Sequence, residues 1–291
     1  MGFRTVIIKS RAKLEFRLNS LIIRGEEEKK VYIGEINTLI IQSTAVSLTA
    51  SLINELIKNN VKVVFCDEKC NPSSELLPYY GAHNTSKRYK EQLSWKRKTK
   101  SSVWKEIIKI KISEQACHLK EKGCFEQAAM LFDYVFEVQN NDVTNREGHA
   151  AKVYFNCILG GKSRQDGGFI NGCLNYGYAV LLSCVNREVI ANGYFTQLGI
   201  WHDNEFNQFN LSCDLMEPFR VAVDKVALSI KESDKEFKRK MANILNLKTV
   251  MSGKSTTLDI AIRLYCRSVF SALNKDDPSL IIFPEKITID E

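Results

Sequence analysis

LGIWHDNEFNQFNLSCDLMEPFR, residues 198–220, packs one histidine, a pair of carboxylates spaced three apart and an arginine into an apolar, amide-rich segment. His202 follows Gly199 in a loop-like context. A helix is expected to start near Asp214, so that Asp214 and Glu217 project from one face. An imidazole and two carboxylates that converge are ligands for a divalent cation, and NREGHAAKVYF (145–155) offers a further oxygen ligand, Glu147, where a helical period opens. Each residue also has a plain structural reading. Glu147 alone complements a helix macrodipole, His202 beside Trp201 packs and hydrogen-bonds, and Asp214 with Glu217 makes a capping-box-like pair. Taken together, Glu147, His202 and Glu217 leave about three of roughly six coordination positions open, as a catalytic Mg2+ or Mn2+ requires. Arg146 and Arg220 adjoin them as candidate phosphate holders. Lys152 and Tyr154 follow Glu147, and the tyrosine reads equally as a DNA contact and as half-buried core.

Outward from this stretch the periodicity is helical. An apolar helix is expected over about 170–190, a lysine-rich helix from Lys231 to about Leu247, and a last helix from Thr257 to about Leu273, before an extended tail. Residues 113–138 read as two short amphipathic helices parted near Gly123. In 87–111 ten basic residues (87, 88, 90, 96, 97, 98, 100, 105, 109, 111) stand against Glu91 and Glu106, interleaved with Tyr89, Trp95 and Trp104. Such a face, densest at Lys96, Arg97, Lys98 and Lys100, neutralises phosphates without reading bases; the alternative is a solvated helix face.

The N-terminal part has a different period. FRTVIIK, KLEFRL, LIIR, KVYIG and TLIIQ alternate apolar with charged residues, as strands with one wet face do. Leu48, Leu52, Ile53, Leu56 and Ile57 make one helical stripe, and VKVVFCD (61–67) returns to strand. The expected fold class is α+β. A small strand-rich, β-sandwich-like domain with one helix spans 1–70, a linker holding two of the five prolines spans 71–86, and a larger all-helical domain spans 87–291 with the metal site and DNA surface.

Composition sets bounds. A chain of 291 residues with 44% hydrophobic residues can bury a sizeable core, and a net charge of +7 permits nucleic acid as a partner without requiring it. Nine cysteines show no paired knuckles, which points to reduced thiols used as small apolar residues in a cytoplasmic protein. MGFRTVIIKSRAKLEF has no apolar signal region, and the longest apolar run, Tyr178 to Val185, is far too short to span a bilayer, so no membrane partner is expected. GGKS (160–163) and SGKS (252–255) suggest a phosphate loop, but Asn156 and Lys248 stand where its first glycine belongs.

NREGHAAKVYF together with LGIWHDNEFNQFNLSCDLMEPFR resembles the signature of the CRISPR-associated integrase family of spacer acquisition, and the asparagine-rich run before DLMEPFR is most similar to its type II branch. The resemblance extends over nearly the whole chain, including VVFCDEKCNP. It implies a metal-dependent DNA integrase and endonuclease that joins the 3′-hydroxyl ends of captured foreign DNA into the CRISPR repeat by transesterification. The family's glutamate, histidine and second acid fall on Glu147, His202 and Glu217, as both catalytic and metal-binding residues. Many members carry aspartate at the last position, and the type II branch tends to carry glutamate. Asp214 matches an acid kept near the site, behind the ligands or at a second metal. The implied partners are double-stranded DNA (captured fragment and repeat), a second copy through the N-terminal domains, and a small ferredoxin-like adaptation protein, one dimer of which is flanked by two integrase dimers. A type II effector nuclease and a ring-shaped accessory protein are implied as well. Two rival readings are a stand-alone metal-dependent endonuclease acting on branched or single-stranded DNA, and a non-catalytic DNA-binding scaffold.

Overall fold

The computed structural model describes residues 2–79, 82–161, 164 and 167–288. By its internal contacts the chain divides into two compact units, Met1–Tyr79 and Tyr80–Glu291.

The first unit comprises β1 (Arg4–Ile8), β2 (Ala12–Arg17), β3 (Ser20–Arg24), β4 (Glu28–Tyr32), β5 (Ile36–Ile41), β6 (Val46–Leu48), α1 (Ala50–Lys58), β7 (Lys62–Cys66) and β8 (Pro72–Glu75). Two sheets form, in the orders β1-β5-β7-β8 and β4-β3-β2-β6. Leu14 and Leu21 from one sheet meet Leu39, Ile41 and Val63 from the other, and Leu52 and Leu56 of α1 join the same core. Thr49 starts α1 by accepting the Leu52 N–H, a side-chain cap at the point where the period changes from two to 3.6. The alternation expected of every strand fails in β5, whose INTLII is buried at each residue. It runs parallel between β1 and β7, and a central parallel strand covered on both faces has no wet side. β8 lies inside the stretch read as linker. Its PSSE carries no apolar alternation, and it is set against β7 by the turn at Asp67, whose Oδ1 accepts the N–H groups of Lys69 and Asn71, and by an ion pair between the buried Lys62 and Glu75.

The second unit is predominantly helical: α2 (Thr85–Leu93), α3 (Arg97–Glu121), α4 (Phe125–Glu137), α5 (Arg146–Ile158), α6 (Phe169–Ala191), α7 (Asn210–Met216), α8 (Arg220–Ser229), α9 (Phe237–Ala242) and α10 (Leu258–Lys275), with β9 (Lys248–Met251), β10 (Lys254–Thr257) and β11 (Lys286–Thr288). The expectation of an all-helical domain is corrected by the sheet β10-β9-β11. Ser252 and Gly253, at φ of 51° and 70°, form the two-residue turn of a β9–β10 hairpin, so SGKS is a hairpin tip. Lys162 and Ser163 of the GGKS run lie outside the described residues. The lysine-rich helix expected over 231–247 shrinks to α9, because Asp234 accepts the Glu236 N–H ahead of it and the chain tightens to a 3-10 turn at Ile244–Asn246 before entering β9. The expected break at Gly123 is present, with φ of 78° between α3 and α4. The C-terminal half of the basic segment, however, runs on without a break to Glu121 as one 25-residue helix, α3, anchored by the fully buried Val103, Trp104, Ile107, Ile108 and Ile112. Cys124 and Cys157 are joined in a disulfide that ties the start of α4 to the end of α5, in place of the free thiols expected there. No helix among the described residues is long and apolar enough to cross a membrane.

Candidate functional site

Glu147 is the second residue of α5. Asp142 accepts the N–H groups of Arg146 and Glu147 at 2.8 and 2.9 Å, and the left-handed N-cap Asn145 accepts that of Gly148, so the first turn is held rigidly and the glutamate side chain is free to reach across to α3. There it meets Lys111, whose Nζ lies 2.6 Å from Glu147 Oε1 and 2.5 Å from Glu217 Oε2.

Glu217 opens a 3-10 turn that closes α7, followed by Pro218, and is 2% exposed. Arg220, one turn on, donates through Nε to Glu217 Oε1 at 2.9 Å and lays its guanidinium over the Tyr178 ring at 4.9 Å. Burial alone would raise the Glu217 carboxyl; the charges of Arg220 and Lys111 outweigh it and hold the group down at about 2. The same balance holds on the other partner. Burial pulls the Lys111 ammonium down, and the charges of Glu217 and Glu147 return it above its ordinary value.

Asp214 does something other than cap a helix. α7 starts at Asn210, four residues earlier than expected, which puts Asp214 inside it and fully buried. Its carboxylate accepts the backbone N–H groups of Ile200, Trp201 and His202 at 2.5, 2.9 and 3.1 Å, and receives His202 Nδ1 at 2.5 Å. One buried carboxylate thereby folds the whole histidine loop. Gly199 is needed there because a Cβ would fall 2.8 Å from Asp214 Oδ2 and against the His202 carbonyl. The His202 ring stands edge-on to Trp104, with centroids 5.6 Å apart, and Trp201 stacks on the same indole at 5.9 Å. With Nδ1 facing a carboxylate, the neutral ring carries its proton on Nδ1 and keeps the Nε2 lone pair, as in a carboxylate–histidine–metal arrangement. The hydrogen bond to Asp214 raises the His202 pKa against the effect of burial, and the charges of Glu217 and Glu147 add to the rise.

Residues 147, 202 and 217, far apart in sequence, therefore belong to one electrostatic cluster. Among the described residues no three His, Cys, Asp or Glu groups converge at metal-holding distance, and the cation between Glu147 and Glu217 is the Lys111 ammonium. The donor set nonetheless suits a divalent metal. Two anionic carboxylates already share a cation, His202 offers an imidazole nitrogen, and the buried Glu217 Oε2, although close to the ammonium, lacks a partner in hydrogen-bonding geometry.

Of the expected DNA contacts, Tyr154 is corrected. It is fully buried, its hydroxyl 3.0 Å from Asp224 Oδ2 and 2.7 Å from His118 Nδ1, and presents nothing to a ligand. Arg146 pairs with Glu137 at 2.7 Å and covers the Tyr134 ring, while Arg220 is spent on Glu217. Lys152 is exposed. In the basic segment Lys96 pairs with Asp276, and among the described residues Arg97, Lys98 and Lys100, at the start of α3, make no ion pair. Sequence reasoning missed Lys111 as a site residue by counting it with the cationic face. Its spacing of seven from Trp104 puts it on the helix's apolar side, and that was the available signal.

A strand-rich unit joined to a mostly helical one, whose acids and histidine form a single charged cluster, defines a class shared with known proteins. Residues 5–255 match the family described as CRISPR associated protein Cas1, and the chain belongs to that family. It is 33% identical over 234 residues to the CRISPR-associated endonuclease Cas1 of Neisseria meningitidis serogroup C, covering 80% of this chain and 77% of the relative. It is 24% identical to a Cas1 endonuclease of Francisella tularensis subsp. novicida, over 79% of each chain. In fold it is similar to a casposase bound to integration product (TM-score 0.78, 20% identity, 99% of this chain and 96% of that one). It is also similar to a Cas1 protein from Thermotoga maritima (TM-score 0.74, 17% identity, 93% and 97%) and to a Cas6-RT-Cas1–Cas2 complex (TM-score 0.76, 17% identity, 96% and 36%).

Proposed function

We propose that this protein is a metal-dependent DNA integrase of CRISPR adaptation, of the type II branch, that joins the 3′-hydroxyl ends of captured DNA fragments to the repeat by transesterification. The observation that carries this reading is the meeting of Glu147 and Glu217, from separate elements, on the buried Lys111 ammonium, with His202 in electrostatic reach of both carboxylates. Glu147, Glu217 and His202 Nε2 would hold Mg2+ or Mn2+, which, once bound, stabilises charge on the phosphate and lowers the pKa of an attacking hydroxyl. The protein's own groups do the rest. Arg220 keeps Glu217 ionised at neutral pH, Asp214 fixes the imidazole's direction, and the Trp104 indole packs edge-on against the ring. Arg97, Lys98 and Lys100 neutralise DNA phosphates along the start of α3.

The family relatives are named as endonucleases, and one similar structure is a complex that includes Cas2. By that likeness the partners are double-stranded DNA, a second copy of this chain and a small adaptation protein. The test mixes the protein and that partner with a labelled short duplex and a supercoiled repeat-bearing plasmid, with Mn2+ or EDTA, for wild type and His202→Ala. The expected result is label covalently joined to plasmid only with metal and only in wild type. Nicked plasmid with free label would instead establish a hydrolytic endonuclease, and intact DNA that is still bound by the protein would establish a scaffold.

A further inference from the structure

Lys111 is 8% exposed on the buried side of α3, in line with Trp104 and Ile108, a place where an ammonium persists only against opposite charge. Around it the charges balance: Lys111 and Arg220 face Glu147 and Glu217. A divalent cation added to this balanced cluster brings two surplus positive charges, and it needs the same carboxylate oxygens that the ammonium already holds. Two changes relieve the conflict at once, namely withdrawal of the ammonium and arrival of an anion. A DNA phosphodiester supplies the anion, and a flexible four-carbon stem lets the ammonium move to it.

We infer that Lys111 is a tethered counter-ion that holds the cation position between Glu147 and Glu217, so that divalent-metal binding is conditional on DNA. Without DNA, metal must displace a paired buried charge; with DNA, the phosphate takes over the ammonium and the carboxylates become available. By reciprocity the metal strengthens DNA binding by the same factor. This inference rests on the metal site proposed above and concerns how that site is filled.

The experiment measures Mn2+ binding to the full chain, by electron paramagnetic resonance of free Mn2+, with and without a short duplex DNA. Wild type, Lys111→Met, Lys111→Gln and Glu147→Gln are compared. Without DNA, K111M is expected to bind Mn2+ at least about tenfold more tightly than wild type, and DNA is expected to tighten wild type by a clearly larger factor than K111M, which keeps only the effect of the added phosphate. Equal or weaker Mn2+ binding by K111M and K111Q than by wild type would overturn the role of Lys111 and leave the metal site standing, provided that E147Q abolishes binding. Mn2+ affinity that E147Q does not change would overturn the site itself. Removing a buried cation destabilises the apo fold, so thermal melting accompanies the titration. A larger Mn2+-induced rise in Tm for K111M and K111Q than for wild type supports displacement, and an equal or smaller rise contradicts it.

Discussion

Asp224 and His118 sit at two ends of one buried chain, and their opposed titrations make a sharp test of the helical unit. The Tyr178 hydroxyl donates to Asp224 Oδ1 and that of Tyr154 to Asp224 Oδ2 at 3.0 Å, while Tyr154 also meets His118 Nδ1 at 2.7 Å. Both residues are 1% exposed. Burial pushes the Asp224 carboxyl up to about 6 despite the two hydroxyls, and burial with the nearby Lys225 charge pushes His118 down to about 4. Since Asp224 binds its proton more tightly folded than unfolded, its contribution to stability grows as pH falls from 7 to 5, by about 1 kcal/mol. His118 behaves oppositely. Its folded pKa is depressed, so its contribution is complete above pH ~6.5 and falls by about 2 kcal/mol between pH 7 and 5. Glu217, held at about 2, is nearly silent in this window, because its contribution is lost only below the ordinary glutamate value. The Asp224 gain therefore offsets about half of the His118 loss in wild type. Asp224→Asn leaves the His118 loss uncompensated, and His118→Gln leaves the Asp224 gain, so the pH 7-to-5 change in stability should move by about 1 kcal/mol downward and about 2 kcal/mol upward respectively, relative to wild type. Denaturant unfolding followed by tryptophan fluorescence reads this unit alone, since Trp95, Trp104 and Trp201 all lie in it. Groups common to the three chains drop out of the comparison. Variants whose pH dependence tracks wild type would refute the reasoning.

Gly199→Ala should cost about 1–3 kcal/mol and at least tenfold in strand joining, because its Cβ would press on Asp214 Oδ2 and the His202 carbonyl; a variant with wild-type melting and activity would show that the loop has room. Asp214→Asn removes the hydrogen bond and charge that raise the His202 pKa, so the imidazole's NMR titration should move to lower pH, and an unmoved midpoint would argue against that partner. Replacing Arg97, Lys98 and Lys100 by alanine should lower the salt dependence of DNA binding by up to about 0.9 per lost phosphate contact, with unchanged Tm; an unaltered slope would assign the surface elsewhere.

The sequence carried information wherever one residue's environment follows from its neighbours in the chain. Short runs rich in apolar and β-branched residues marked β1 to β5 and β7, with period two failing in β5, and the long apolar stripes marked α6 and α10 to within two residues. β6, β8 and the β9–β10 hairpin strands are three or four residues long and exist because of what they pair with, which no local pattern reports. The candidate ligands were found by residue type and spacing, but their supports were not. Asp214 looked like a cap because its acceptor role, toward the N–H groups of 200–202, is played on a loop twelve residues away; Tyr154 looked half-exposed because His118 and Asp224, which bury it, are 36 and 70 residues distant. Lys111 was hidden by its ten-residue cationic neighbourhood, although helix geometry aligns it with Trp104.

The central claim is that Glu147, His202 and Glu217 close on one metal ion when DNA is bound. Anomalous diffraction at the manganese edge from crystals grown with Mn2+ and a repeat-bearing duplex tests it directly. The account predicts a manganese peak bonded to both glutamates and to His202 Nε2, with the Lys111 ammonium moved away from them toward phosphate. A peak elsewhere, or Lys111 still bridging Glu147 and Glu217 with DNA and Mn2+ present, would contradict it.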